Sequence, residues 1–432
     1  MRKAILTGVF FLSIQSLMGQ KQSISQDSIS LFFSEIKEAS NRNIQLWNKN
    51  LYGPILLIDP ETRKFFANEP DAEGTLEPHG NFYSGVFPDN INIANTAIDW
   101  KGKSWAMIML PLPKNKEDRI NLLAHESFHS IQPSLGFVFS NSDNNHLDQK
   151  GGRIYLRLEL EALKKAVQAS SEKELHQHLT NAFTFRKYRH SLYGNSDTAE
   201  NLLELNEGLA EFTGAMLSGR NKVQATSSFI KGIDHFFNNP TFVRSFAYYT
   251  IPAYGYLLYN KDKNWNKNIT DKTDLTDYFI KAFEVKIPAD LKKTAENLSS
   301  RYNGKVINKE EEAREEKIKK LIADYKLKFI DQPHFELKFV KMSISFDPRN
   351  IIPIENKGTV YPNIRVTDKW GILTVEKGAL MSPDWDKISV SSPVKTEGKK
   401  ISGEGWILDL ADNYTIEKDG ISGNYKLKKI TD

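Results

Sequence analysis

The chain has 432 residues, no cysteine, a formal net charge of +4, 40% hydrophobic and 26% charged residues. That length exceeds one ordinary core and suggests about two or three domains, and the composition excludes wholesale disorder. Two of the positive charges are Arg2 and Lys3, so the remainder is near neutral and lacks the concentrated basic face that nucleic acid as main partner requires. Without cysteine there are no thiolate ligands, cysteine nucleophiles or disulfides, and any transition-metal site must use His, Asp or Glu.

Residues 1–20 read as a signal peptide. Arg2 and Lys3 give a basic start, "AILTGVFFLSI" is too short to span a bilayer comfortably, and "SLMGQ" is a small, polar exit. The expected location is therefore periplasmic or secreted, and no later segment is apolar enough over sufficient length to be a membrane-spanning helix. Ser28–Asn50 has apolar residues at helical spacing, and "YGPILLIDPETRKFFANEPD" reads as strand, turn and strand. Phe82–Pro113 is rich in β-formers, with "SWAMIMLPLP" as its strongest strand, ended by its prolines.

"KEDRINLLAHESFHSIQ" has acidic residues at its start and Ile120, Leu123, Ala124, Phe128 and Ile131 at helical spacing, with Pro133 as its stop. A long helix, "GGRIYLRLELEALKKAVQAS", opens a mostly helical region. It includes amphipathic Leu202–Leu217 and the tyrosine-rich "FAYYTIPAYGYLLYN", and ends with Lys309–Phe329, whose charge run reads as a solvated face. Beyond Ile330, alternating apolar residues with frequent glycine and aspartate indicate strands and turns. The expected fold class is α+β: a mainly helical domain with a small N-terminal β-sheet over residues 21–330, then a β-rich sandwich or barrel over 331–432.

The chemistry concentrates in "HESFH". His125 and His129 are four apart, so on a helix they stand on one face, one turn apart. Zn–N bonds of about 2.0–2.1 Å need that convergence. Glu126 is rotated by about 100° from His125 around the axis, which suits a general base acting on metal-bound water rather than a ligand. The chain has 9 histidines, and at that scarcity the pattern arises by chance in roughly one chain in a hundred. A third protein ligand is required. In "LNEGLAEFTG", Glu207 and Glu211 are four apart, and Gly208, Ala210 and Gly214 are small enough for close approach to the histidine helix. Glu207 is expected as the third ligand, and Glu211 as acceptor from the free nitrogen of a ligand histidine. Glu159 and Glu161, in "LRLELEAL", are the rival ligands, Glu159 the stronger. Glu161 reads as a surface charge paired with Lys165, and His146 and His190 as loop or surface histidines.

With both motifs in hand, the sequence resembles a gluzincin, the zinc-metallopeptidase group of thermolysin and the aminopeptidases. "HESFH" matches its zinc motif at His125, Glu126 and His129, and "NEGLAE" its Asn-Glu pair at Asn206 and Glu207. The resemblance covers roughly residues 50–260 and implies a zincin-like catalytic domain. Residues 130–205 lie between the two motifs, a longer separation than in those enzymes, so a helical insertion is expected at about 140–200. It further implies Zn2+ as cofactor, peptide or protein as substrate, and "SWAMIMLPLP" as the edge strand that holds extended substrate. The oxyanion donor is expected among Tyr248, Tyr249, Tyr254, Tyr256 and Tyr259 of the tyrosine-rich helix, with Tyr254, just before Gly255, as first choice and His235 and Arg244 as alternatives. The other readings are a binding module with a structural or vestigial metal, and a zinc hydrolase acting on a non-peptide amide or ester.

Overall fold

Four consecutive apolar residues, Ile55–Ile58, make a strand buried on both faces. The computed structural model describes residues 25–89, 91–137, 143–346 and 351–430, and the expected signal peptide lies outside these. The described chain divides into two compact units, one reaching to Ser130 apart from Gln45–Asn48, the other comprising Gln45–Asn48 and everything from Ile131.

The first unit opens with helix α1 (Gln26–Arg42), whose Ser25 side chain accepts from the Ser28 N–H. Six strands follow: β1 (Ile55–Ile58), β2 (Lys64–Ala67), β3 (Glu77–His79), β4 (Phe82–Val86), β5 (Thr96–Trp100) and β6 (Lys103–Met109). They form one sheet in the order β3-β4-β2-β1-β6-β5. The β1–β6 pair is parallel and aligns Leu57 with Ile108. Leu56, Ile58, Phe65, Trp105 and Met107 share one apolar cluster with Phe87. Strand β6, within "SWAMIMLPLP", lies between β1 and β5. The expectation that it is the edge strand is corrected: its Trp105–Ile108 stretch is buried, and a strand so apolar is stable only when covered.

Helix α2 (Lys116–Ile131) follows and carries "HESFH". The Asn115 side chain accepts from the Asp118 N–H at 2.9 Å, and Glu117 and Asp118 in the first turn complement the helix dipole. Arg119 fixes the helix further. Its guanidinium donates to both oxygens of Glu35 on α1, at 2.8 and 2.9 Å, and to the carbonyls of Pro113 and Lys114.

The second unit is helical to Lys326, through α3 (Lys150–Gln168), α4 (Glu172–Leu192), α5 (Ser196–Leu203), α6 (Leu209–Leu217), α7 (Lys222–Phe236), α8 (Ala247–Lys261), α9 (Leu275–Ala282), α10 (Leu291–Ser299) and α11 (Gly304–Lys326). Helices α3 and α4 pack on each other, as their short connection requires. Between α5 and α6 the helix widens into a π turn, Glu204–Gly208. The Gln45–Asn48 stretch is bonded into this unit, with Trp47 Nε1 donating to Thr213 at 2.9 Å and Asn266 to the Leu46 carbonyl at 2.7 Å.

From His334 to Lys429 the described chain is strands joined by short turns, in a seven-stranded and a six-stranded sheet. Phe335, Leu337 and Ile388 of one sheet share a core with Ile364, Val366, Leu373 and Trp406 of the other, a sandwich arrangement. Phe329, just beyond α11, is buried with Ile354, Val360 and Leu380, so the passage into the sandwich is a packed junction and not a free linker.

Glu35 and Arg119 are 5% and 7% exposed. The Glu35→Ala variant should lose about 3–5 kcal/mol, because it strands a buried guanidinium. Urea unfolding checks this, and an unchanged midpoint would mean that the pair does not hold α2.

Candidate metal centre

On α2 the side chains of His125, Glu126 and His129 form a group whose potential ligand atoms all lie within 4.8 Å of one another. The two Nε2 atoms are 3.1 Å apart. Two Zn–N bonds at a tetrahedral angle place their nitrogens about 3.3 Å apart, so the imidazoles are already disposed to share one ion. His125 is 3% exposed and Glu126 5%. The helix is stitched on either side of them, with Ser127 Oγ donating to the Leu123 carbonyl and Ser130 Oγ to the Ser127 carbonyl, each at 2.7 Å. Two imidazoles with no thiolate are donors that suit a first-row transition metal better than calcium or magnesium.

Glu207 stands in the π turn, where one extra residue per turn displaces side chains from α-helical register. Asn206 Nδ2 donates to Glu207 Oε1 at 3.1 Å, and the Tyr248 hydroxyl of α8 donates to Glu207 Oε2. Gln132, three residues after His129 in the chain, donates from Nε2 to the Asn206 carbonyl at 2.9 Å. The small residue beside Glu207 serves a purpose other than the one expected. A Cβ on Gly208 would lie 2.6 Å from Ile251 Cγ1, so its bareness admits α8, the helix that carries Tyr248. Glu211 lies in the first turn of α6. Burial pushes the Tyr249 hydroxyl up, and the Glu211 charge adds to this.

Glu159, the stronger rival ligand, is fully buried and its oxygens are engaged. Arg186 Nε donates to Oε1 at 2.8 Å and Arg189 Nη1 to Oε2 at 2.7 Å. Tyr254 also donates to Glu159 Oε1, at 2.9 Å. The assignment of Tyr254 as oxyanion donor is thereby corrected. Its ring is fully buried and stacked on Phe183 and Phe279, so its hydroxyl is spent inside the helical core and cannot meet a substrate. Glu161 pairs with Lys164 at 2.8 Å, not with Lys165. His146 is buried and His190 half-buried rather than at the surface, and both bond Glu200, at 2.8 and 3.0 Å.

Of the candidate tyrosines on that helix, Tyr248 is the one that bonds Glu207. Its signal was weak, because Tyr248 and Tyr254 share one helix and only the packing of α8 tells them apart. Compared with family models, with curated proteins and with solved structures, the chain finds no match.

Removing the buried hydroxyl in Tyr254→Phe should cost about 1–3 kcal/mol, the worth of a hydrogen bond to a charged acceptor. Denaturant unfolding reads this directly; a variant as stable as the parent would mean that Tyr254 is not committed to Glu159.

Proposed function

We propose that this protein is an exported zinc-dependent metallohydrolase, a peptidase of gluzincin type that cleaves peptide bonds in peptide or protein substrates. The observation that carries the reading is the 3.1 Å approach of the His125 and His129 Nε2 atoms, one helical turn apart, with buried Glu126 alongside. His125, His129 and Glu207 would hold the metal. For Glu207 the support is the Asn-Glu pair itself, with Asn206 Nδ2 donating to one carboxylate oxygen and the Tyr248 hydroxyl to the other. Glu211 is retained as the residue that fixes a ligand histidine's tautomer.

When bound, zinc supplies Lewis acidity toward water and toward a carbonyl oxygen. Glu126, beside the ligands but outside the ligand set, takes the proton of the attacking water and delivers it to the departing nitrogen. An amine leaves only when protonated, so a carboxylate able to return its proton equips the site for amide cleavage. Two histidines and one carboxylate suit zinc better than calcium or magnesium, which take oxygen ligands almost exclusively.

Glu126→Gln keeps the size and loses the base. Zinc content should be unchanged, while cleavage of a mixed peptide library, followed by mass spectrometry, should fall by at least about a hundredfold. Undiminished cleavage by that variant would remove the mechanism.

A further inference from the structure

A π turn is a rare departure within a helix, and neighbouring side chains can hold it in register. In the second unit a buried ion network does so from one side. Glu204, the first residue of the π turn, accepts from Arg186 Nη1 at 2.9 Å and Nη2 at 2.7 Å. Its Oε1 also accepts from the Thr250 hydroxyl of α8 at 2.6 Å. Arg186 is held in turn by Glu159 and by Thr276 at 3.2 Å. Three residues along α4, Arg189 grips Glu200 of α5 at 2.8 and 2.6 Å and the second oxygen of Glu159. Helix α4 thus presents two guanidinium forks to two carboxylates one turn apart, on the helix that continues into Glu207, with Glu159 wedged between the forks.

The two arginines and three glutamates have no exposed surface. Burial works against the Arg186 charge, but Glu159 and Glu204 beside it raise it well above its ordinary value. Burial also opposes ionisation of Glu200, yet Arg189 and His190 hold it well below the usual carboxylate range. Three carboxylates share two guanidiniums, and the deficit falls on Glu204, which burial pushes up. Such a network is a poor source of net stability, since well-packed apolar side chains of similar volume do as well or better. What it supplies is geometry: planar forks accept a carboxylate in one orientation.

We infer that Arg186 and Thr250 are positioning residues for Glu207, clamping Glu204 so that the π turn presents the Glu207 carboxylate in place to bind the metal. The inference rests on the reading of Glu207 as a zinc ligand. It places neither residue on the metal or on substrate. Both act through Glu204, three residues before the ligand.

The test is zinc affinity of the full chain, measured by competition with a chromophoric chelator, with thermal unfolding of each variant alongside. Thr250→Val keeps the shape and removes the hydroxyl, and should weaken zinc binding by about tenfold or more, as loss of a supporting partner does. Thr250→Ser, which keeps the hydroxyl, should stay within about twofold of the parent. Arg189→Lys loosens Glu200 and one oxygen of Glu159 while leaving both Arg186 bonds to Glu204 in place, and should lower stability with zinc affinity within the same limit. Should Thr250→Val fail to fold, Arg186→Lys, which keeps the charge and loses the fork, is read in its place with the same expectation. A folded Thr250→Val variant with parental affinity overturns the inference, as does an Arg189→Lys variant weakened equally, which would make the network merely structural. Glu207→Ala separates the two levels. If it loses zinc while Thr250→Val does not, only the positioning role falls; if it binds zinc like the parent, the ligand assignment falls and the inference with it.

Discussion

Five ionisable side chains without solvent contact, Glu159, Arg186, Arg189, Glu200 and Glu204, constrain everything around them. Removing an ion of this kind from water costs several kcal/mol even after relaxation, and only near-ideal hydrogen bonds offset it. The bonds here run between 2.6 and 2.9 Å and link α3, α4, α5 and the π turn. Helices joined in this way cannot slide by a turn without leaving a buried charge unpaired. The aromatic packing around Tyr254 and the close approach of α8 at Gly208 are compatible with one register only.

The first unit uses the same device on a smaller scale. Arg119 meets Glu35 with a two-bond fork and takes the carbonyls just before α2 with its remaining donors. The histidine helix is thereby tied at its start to α1, independently of the apolar contacts of Leu123 and Phe128, which are fully buried. Each helix given a ligand in the proposed centre is therefore anchored by an arginine–carboxylate fork within its own unit. Such forks fix orientation as well as distance, which a site with ligand bonds of about 2 Å demands.

What could be read from the sequence was what depends on neighbours in the chain. The histidines at helical spacing, the Ile55–Ile58 strand, the helices at Lys116 and Lys150 and the turn to β structure after Ile330 all follow from local periodicity. The rest depends on partners far away in the chain. Glu159 sits in a leucine-rich helix, and its arginines come 27 and 30 residues later, so no local pattern separates a committed carboxylate from an available one. Tyr254 and Tyr248 differ only in which face of α8 meets Phe183 and Glu159. Strand β6 was misplaced at the edge because strand order is non-local: β5 covers one side of it by a tight hairpin and β1 the other by a parallel pairing. The π turn leaves no mark in composition. The gluzincin likeness joined two short motifs and left the intervening helices undescribed, and those helices hold the buried network.

The most direct test is anomalous diffraction at the zinc edge from crystals of the chain grown with zinc. The account predicts a single strong peak with the Nε2 atoms of His125 and His129 and a Glu207 carboxylate oxygen at about 2.0–2.2 Å, and Glu126 outside the ligand set. No peak beside well-ordered histidines, or a peak whose third protein ligand is a residue other than Glu207, would contradict it.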